Sequence, residues 1–134
     1  MLFCGTIFAA EPYKVLTFPD DNNANNHVNG YVDAWTAKIG SDSWTIDKFN
    51  NFNWDGWTYI RCGRKSDASV ASIATDFAID QPISSVVVTI DKFSNPDKVN
   101  SVSLVVASDA SFSNVIETVQ APNKEAGEMV FTVT

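Results

Sequence analysis

At 134 residues, 45% of them hydrophobic, the chain fits one globular domain and excludes wholesale disorder. Nine basic residues against sixteen acidic ones give a net charge of −7, which argues against binding a nucleic-acid backbone or an anionic membrane surface. Neutral partners such as glycans are compatible with that balance.

The first segment, 1–10, reads as a truncated or atypical secretory signal. A short apolar run ends in Ala9 and Ala10, but a basic start is absent, and Ile7 and Phe8 stand where small residues belong. The alternative is an ordinary first strand; the run is too short to span a bilayer. Residues 11–134 then form a single domain, and the expected location is secreted or at the cell surface. Of the two cysteines, Cys4 falls in the signal-like segment. Cys62 then stands alone, without CxxC spacing, and reads as a small buried hydrophobe.

From there the pattern is period two almost throughout. Tyr13–Phe18 reads as a first strand, stopped by Pro19 and the polar run Asp20–Gly30, whose Asn, Asp and Gly residues favour turns. Tyr31–Ile39 is a second strand with Trp35, Ala37 and Ile39 on one face. After a Gly40–Asp42 turn, Ser43–Phe49 is a third, with Trp44 and Ile46 together. Asn50–Gly56 is a loop rich in aromatics. Trp57–Cys62 and Ala68–Thr75 follow as strands. Ile83–Ile90 aligns Val86, Val88 and Ile90, and Val99–Ala107 aligns Val102, Leu104 and Val106 opposite Ser101 and Ser103. Ser108–Asn114 reads as a hairpin connection with Phe112 turned inwards. Val115–Val119 and Glu128–Val133 complete about nine strands. No stretch holds a helical period; Asp76–Gln81 makes a single turn at most. Short strands at this spacing predict an all-β, two-sheet antiparallel β-sandwich or jelly roll.

The runs Trp44–Lys65, Ala68–Thr75 and Val99–Phe112 resemble an extracellular jelly-roll module of secreted gut-bacterial proteins of the Bacteroidetes type. The resemblance covers most of residues 13–134 and implies a jelly roll of galactose-binding-like type. It names no activity and carries over no functional residue. The last predicted strand ends flush with Thr134. Either the sheet ends there or a closing strand is missing, and the resemblance favours the second.

Chemistry is sparse. The single histidine, His27, sits in an Asn-rich loop, and nothing resembles a nucleophile turn, a phosphate loop or zinc spacing. Asp33, Asp47, Asp55 and Glu117 are acids a glycoside hydrolase would need in pairs, but nothing separates them from surface acids. The Asp20–Asn23 run offers oxygens of the kind a structural calcium ion takes, yet lacks a regular ligand spacing. No cofactor is assigned. The expectation is a protein that is not an enzyme.

The aromatics say more. In Trp57–Cys62, Ile60 and Cys62 suit the core, because Arg61 is costly to bury. Trp57, Tyr59 and Arg61 then face outwards, beside a loop carrying Phe52, Asn53, Trp54 and Asp55. An aromatic ring packs on the apolar face of a sugar, and Asn, Asp and Arg bond its hydroxyls. The competing reading is cation–π packing with Arg61 or Arg64 that only stabilises the sheet. Trp35 and Trp44 alternate with aliphatics and read as core. The ligand-binding set is therefore Asn53, Trp54, Asp55, Trp57, Tyr59 and Arg61. The expected function is a non-catalytic carbohydrate- or surface-binding module with a glycan or cell-surface partner. Its rivals are a structural or adhesive spacer of a surface or virion-like assembly and, behind that, a small hydrolase.

Overall fold

The pairing of two tryptophan-bearing strands organises the first half of the chain. Strand β1 (Trp35–Ile39) turns through Gly40 and Ser41 into β2 (Asp42–Asp47). Gly40 has φ +59°, the left-handed geometry that lets a two-residue hairpin follow the natural twist of its strands. The antiparallel register sets Trp35 opposite Ile46 and Ala37 opposite Trp44. Directly opposed residues share a face, so these four side chains form one buried cluster. Leu16, Phe18, Ile39, Phe49, Ile60 and Phe77 pack around it. Phe18 meets Trp35 edge-on at 6.2 Å, and Phe77 meets Trp44 at 5.3 Å.

The computed structural model describes residues 10–22, 30–52, 58–64, 66 and 69–134. Among them the chain is all-β, in antiparallel sheets, with a single 3-10 turn at Pro96–Lys98. Strand β5 (Ser72–Thr75) adds to β2 and gives the order β1-β2-β5. Strands β3 (Phe49–Asn50) and β4 (Arg61–Cys62) form a short ladder of their own. Strand β6 (Ser85–Ile90) pairs with β9 (Gly127–Thr132), and β7 (Ser103–Ala107) with β8 (Val115–Gln120). On β6 and β9, Val86 opposes Phe131 and Val88 opposes Met129. Met129 and Phe131 are buried, apart from the tryptophan cluster. No helix among the described residues is long and apolar enough to cross a membrane.

Several expected strands are corrected. Tyr13–Phe18 joins no ladder. Its polar residues are taken up by side-chain bonds: Tyr13 donates its hydroxyl to Asp80, and Lys14 grips Asp42 with Nζ–O distances of 2.7 and 2.8 Å. Leu16 and Phe18 meanwhile lie on the core. The expected strand Ser43–Phe49 breaks at Lys48, whose φ of +59° is a conformation a ladder cannot continue through. Among the described residues, only Trp35–Ile39 of the second and Arg61–Cys62 of the fourth are extended in a sheet. Cys62, expected inside, is exposed, as is its neighbour Arg61: the two-residue ladder lies outside the core that holds Ile60. Residues 1–9, with the signal-like run, and His27 fall outside the described residues.

The β7–β8 connection is a hairpin turn, as expected, and Asp109 builds it. Its carboxylate accepts the backbone N–H of Ser113 at 3.1 Å and of Asn114 at 2.6 Å, and the hydroxyl of Ser111. Phe112 is not turned inwards; at φ +55° it stays 37% exposed, because the bonds to Asp109 set the loop backbone.

Two outcomes follow from this packing. Ile46 is fully buried, so Ile46→Ala removes contacts and leaves a cavity; chemical denaturation should show a loss of about 2–5 kcal/mol. The bonds from Ser111, Asn114 and Ser113 lower the Asp109 pKa from 3.8 to about 2. The charged form is favoured in the folded state. That contribution is complete above about pH 4 and is lost as the pH falls through about 2. A carboxyl NMR titration should place the Asp109 midpoint near 2, and Ser111→Ala should move it back towards 3.8. A wild-type midpoint at the ordinary value overturns the assignment.

Candidate functional site

The segment running from β3 to β4 was singled out for its aromatics, and its described parts show how it is rooted. Trp35 is a core residue with one polar atom to satisfy. Its indole N–H donates to the Phe49 carbonyl at 2.9 Å, tying β3 to the tryptophan cluster. Asn50 follows, 3% exposed, and its Oδ1 accepts the N–H of Phe52 at 2.9 Å. That is an Asx turn, in which a side-chain amide replaces a backbone partner and reverses the chain. Asn51 is buried as well, at 1% exposure. No buried side-chain polar atom among the described residues lacks a partner, so both amides are satisfied. Phe52 then emerges at 45% exposure.

On the return side, Arg61 is opposite Asn50 and Cys62 opposite Phe49. Arg61 is exposed, Tyr59 half-buried and Ile60 packed on the core. The structure therefore brings Phe52, Tyr59 and Arg61 to the two ends of one segment. Asn53, Trp54, Asp55 and Trp57 lie outside the described residues. Trp35 and Trp44 are buried core residues. A cation–π contact is present next to the segment: the guanidinium of Arg64 sits 5.6 Å from the ring centre of Tyr31.

Glu117 and the acids of the run considered for calcium have identifiable tasks. Asp20 is 5% exposed and accepts the N–H of Lys38 at 2.9 Å and of Asn22 at 3.2 Å. Asp21 donates its N–H to the Lys38 carbonyl at 2.8 Å and accepts that of Gly40 at 2.6 Å. Asn22 donates its side-chain amide to the Thr36 carbonyl at 3.0 Å. The start of the run considered for calcium thus stitches itself to β1. Glu117 accepts the N–H and hydroxyl of Thr134, at 3.1 and 2.8 Å. No signal in the period-two pattern marks these roles, since they depend on which strand passes beside the loop.

A second polar group lies at the β2–β5 side. Asp76 accepts the hydroxyls of Ser43 and Thr45 at 3.0 and 2.7 Å. The hydrogen bond to Asp42 raises the pKa of Lys14, and the one to Asp80 raises that of Tyr13. Lys14 also lies 5.2 Å from the ring centre of Phe77. Each donor here has its acceptor, which describes a surface network that holds the Tyr13–Phe18 segment down. Among the described residues no three His, Cys, Asp or Glu side chains gather as a metal site would need.

Two concavities among the described residues bear on a site. One is a cleft of about 3450 Å³ lined by β5, β6, β7 and the 10–18 segment. Ligand pockets span about 300–1,000 Å³, so this is the open space between sheets and not a ligand-shaped site. The other is a small pocket of about 240 Å³ at the far end of the β7–β8 ladder. Compared with protein-family models, with curated proteins and with solved structures, the chain matches none of them.

Proposed function

We infer that the chain is a non-catalytic module of a secreted bacterial protein, of galactose-binding-like jelly-roll type, that holds a glycan or another cell-surface component. The segment from Asn53 to Arg61 is the proposed contact. One observation carries the reading: this segment starts from two buried asparagines and an exposed Phe52 and returns through an exposed Arg61. The flank at Asn50 and Asn51 is already held by the core, so that flank needs no further ordering on binding. Aromatic faces from Trp54 and Trp57 then meet the apolar side of a sugar ring, and Asn53, Asp55 and Arg61 bond its hydroxyls. The acidic surface suits a neutral ligand. The test is a broad glycan array followed by variants. Trp54→Ala, Trp57→Ala and Arg61→Ala should each weaken retention by at least about tenfold, or about 1.4 kcal/mol, with the melting temperature nearly unchanged. A wild type that retains no glycan, or variants that bind as well as it does, overturns the reading.

A structural or adhesive spacer is the second reading, and specific residues favour it. Val87 and Val130 face each other across β6 and β9, at 52% and 46% exposure, and Ile116 of β8 is 70% exposed. Valines on an outward face, with β6 and β7 paired along one edge only among the described residues, invite a second chain. Light scattering across a concentration series should then show mass growing beyond the monomer. A constant monomer mass counts against the spacer.

A further inference from the structure

We propose that the pocket of about 240 Å³ at the end of the β7–β8 ladder is a binding site for a single neutral, polyhydroxylated ring, such as one sugar residue. None of its residues belongs to the 53–61 segment, and it does not depend on that segment binding anything. The last rung of the ladder sets Ser103 opposite Gln120, and one further bond, from the N–H of Ala121 to the carbonyl of Val102 at 2.8 Å, extends it. Val102 and Ala121 are half-buried there and, with the exposed Pro122, supply the apolar part of the lining. The chain after the ladder is held by its own side chains. Asn123 Oδ1 accepts the N–H of Glu125 at 3.1 Å, and the Lys124 ammonium donates to the Val99 carbonyl at 2.8 Å. The walls are thus fixed before any ligand arrives, which lowers the entropy cost of binding.

The groups left facing the pocket differ in kind from those that build it. The side chains of Asn100, Ser101 and Gln120 are exposed and take up no hydrogen bond from other described residues. Two amides and a hydroxyl offer both donors and acceptors, the pattern that hydroxyl groups satisfy. Lys124 is the one charged residue in the lining, and its bond to Val99 directs it at the backbone, so a neutral ligand is favoured over an anion. The volume lies below that of drug-sized pockets and admits one ring, not a chain.

The probe is a set of methyl glycosides of glucose, galactose, mannose and N-acetylglucosamine, titrated into the protein by amide NMR. At least one should give saturable shifts in residues 100–102 and 120–124, with a dissociation constant of about 1 mM. The double variant Asn100→Ala, Gln120→Ala should weaken binding at least about tenfold without lowering the melting temperature, since both side chains are exposed. Arg61→Ala should leave these shifts as they are. Absence of saturable shifts at these amides with all four glycosides overturns the pocket. So does a double variant that binds like the wild type. Shifts confined to residues 58–64 that vanish in Arg61→Ala also overturn it, while supporting the aromatic segment.

Discussion

The indole of Trp35 is where the first half of the molecule is tied together. Its ring belongs to the core with Ala37, Trp44 and Ile46, and its N–H is spent on the Phe49 carbonyl. A buried indole without an acceptor would cost about 1–3 kcal/mol, so the packing of β1 dictates where the chain must pass after Lys48. That passage places Asn50 and Asn51 inside. Their burial in turn fixes the point from which Phe52 emerges. The described start of the proposed glycan contact is therefore rooted on a buried tryptophan.

Period two made the core strands legible. Trp35 with Ala37 and Trp44 with Ile46 each flank a threonine and share a buried face, and Val86, Val88 and Ile90 share a face of β6 opposite Phe131, Met129 and Gly127. The outward direction of Arg61 was legible too, from the cost of burying a guanidinium. Other features depend on side chains standing in for the ladder. Tyr13–Phe18 alternates like a strand, yet Asp42 and Asp80 claim its polar residues from elsewhere in the chain. Asn50 and Asn51 look like loop residues by type and are buried, because each amide finds partners that composition alone does not reveal. Lys48 breaks a strand at a residue with no intrinsic preference for positive φ. Cys62 reads as core by hydrophobicity and is exposed, because a two-residue ladder is too short to carry the alternation inwards.

The acidic residues share a logic that net charge hides. Asp20, Asp76 and Asp109 each use a carboxylate to collect two or more donors from a neighbouring turn or strand. A carboxylate has room for several N–H or O–H groups, so one residue closes a loop that would otherwise leave backbone donors to water. Part of the acidic excess is thus structural wiring between turns and strands. Solubility comes with it, but it does not by itself point to a cationic partner.

The same wiring separates the two ends of the fold. Along β1, Asp21 and Asn22 bond the carbonyls of Lys38 and Thr36, and Asp20 bonds the N–H of Lys38. These are the groups an incoming strand would need, so that edge is closed to pairing. Strand β6 is built otherwise: Ser85, Val86, Val87, Val88, Thr89 and Ile90 contain no charge and no proline, and among the described residues β9 pairs with one side only. A strand of high β-propensity without a charged gatekeeper retains its capacity to add a neighbour. The polar N-terminal half and the valine-rich C-terminal half therefore divide the molecule's options for association. Among the described strands, pairing with a further strand meets few obstacles at β6, whereas the two proposed ligand sites lie elsewhere, at the 53–61 segment and beyond the end of β8.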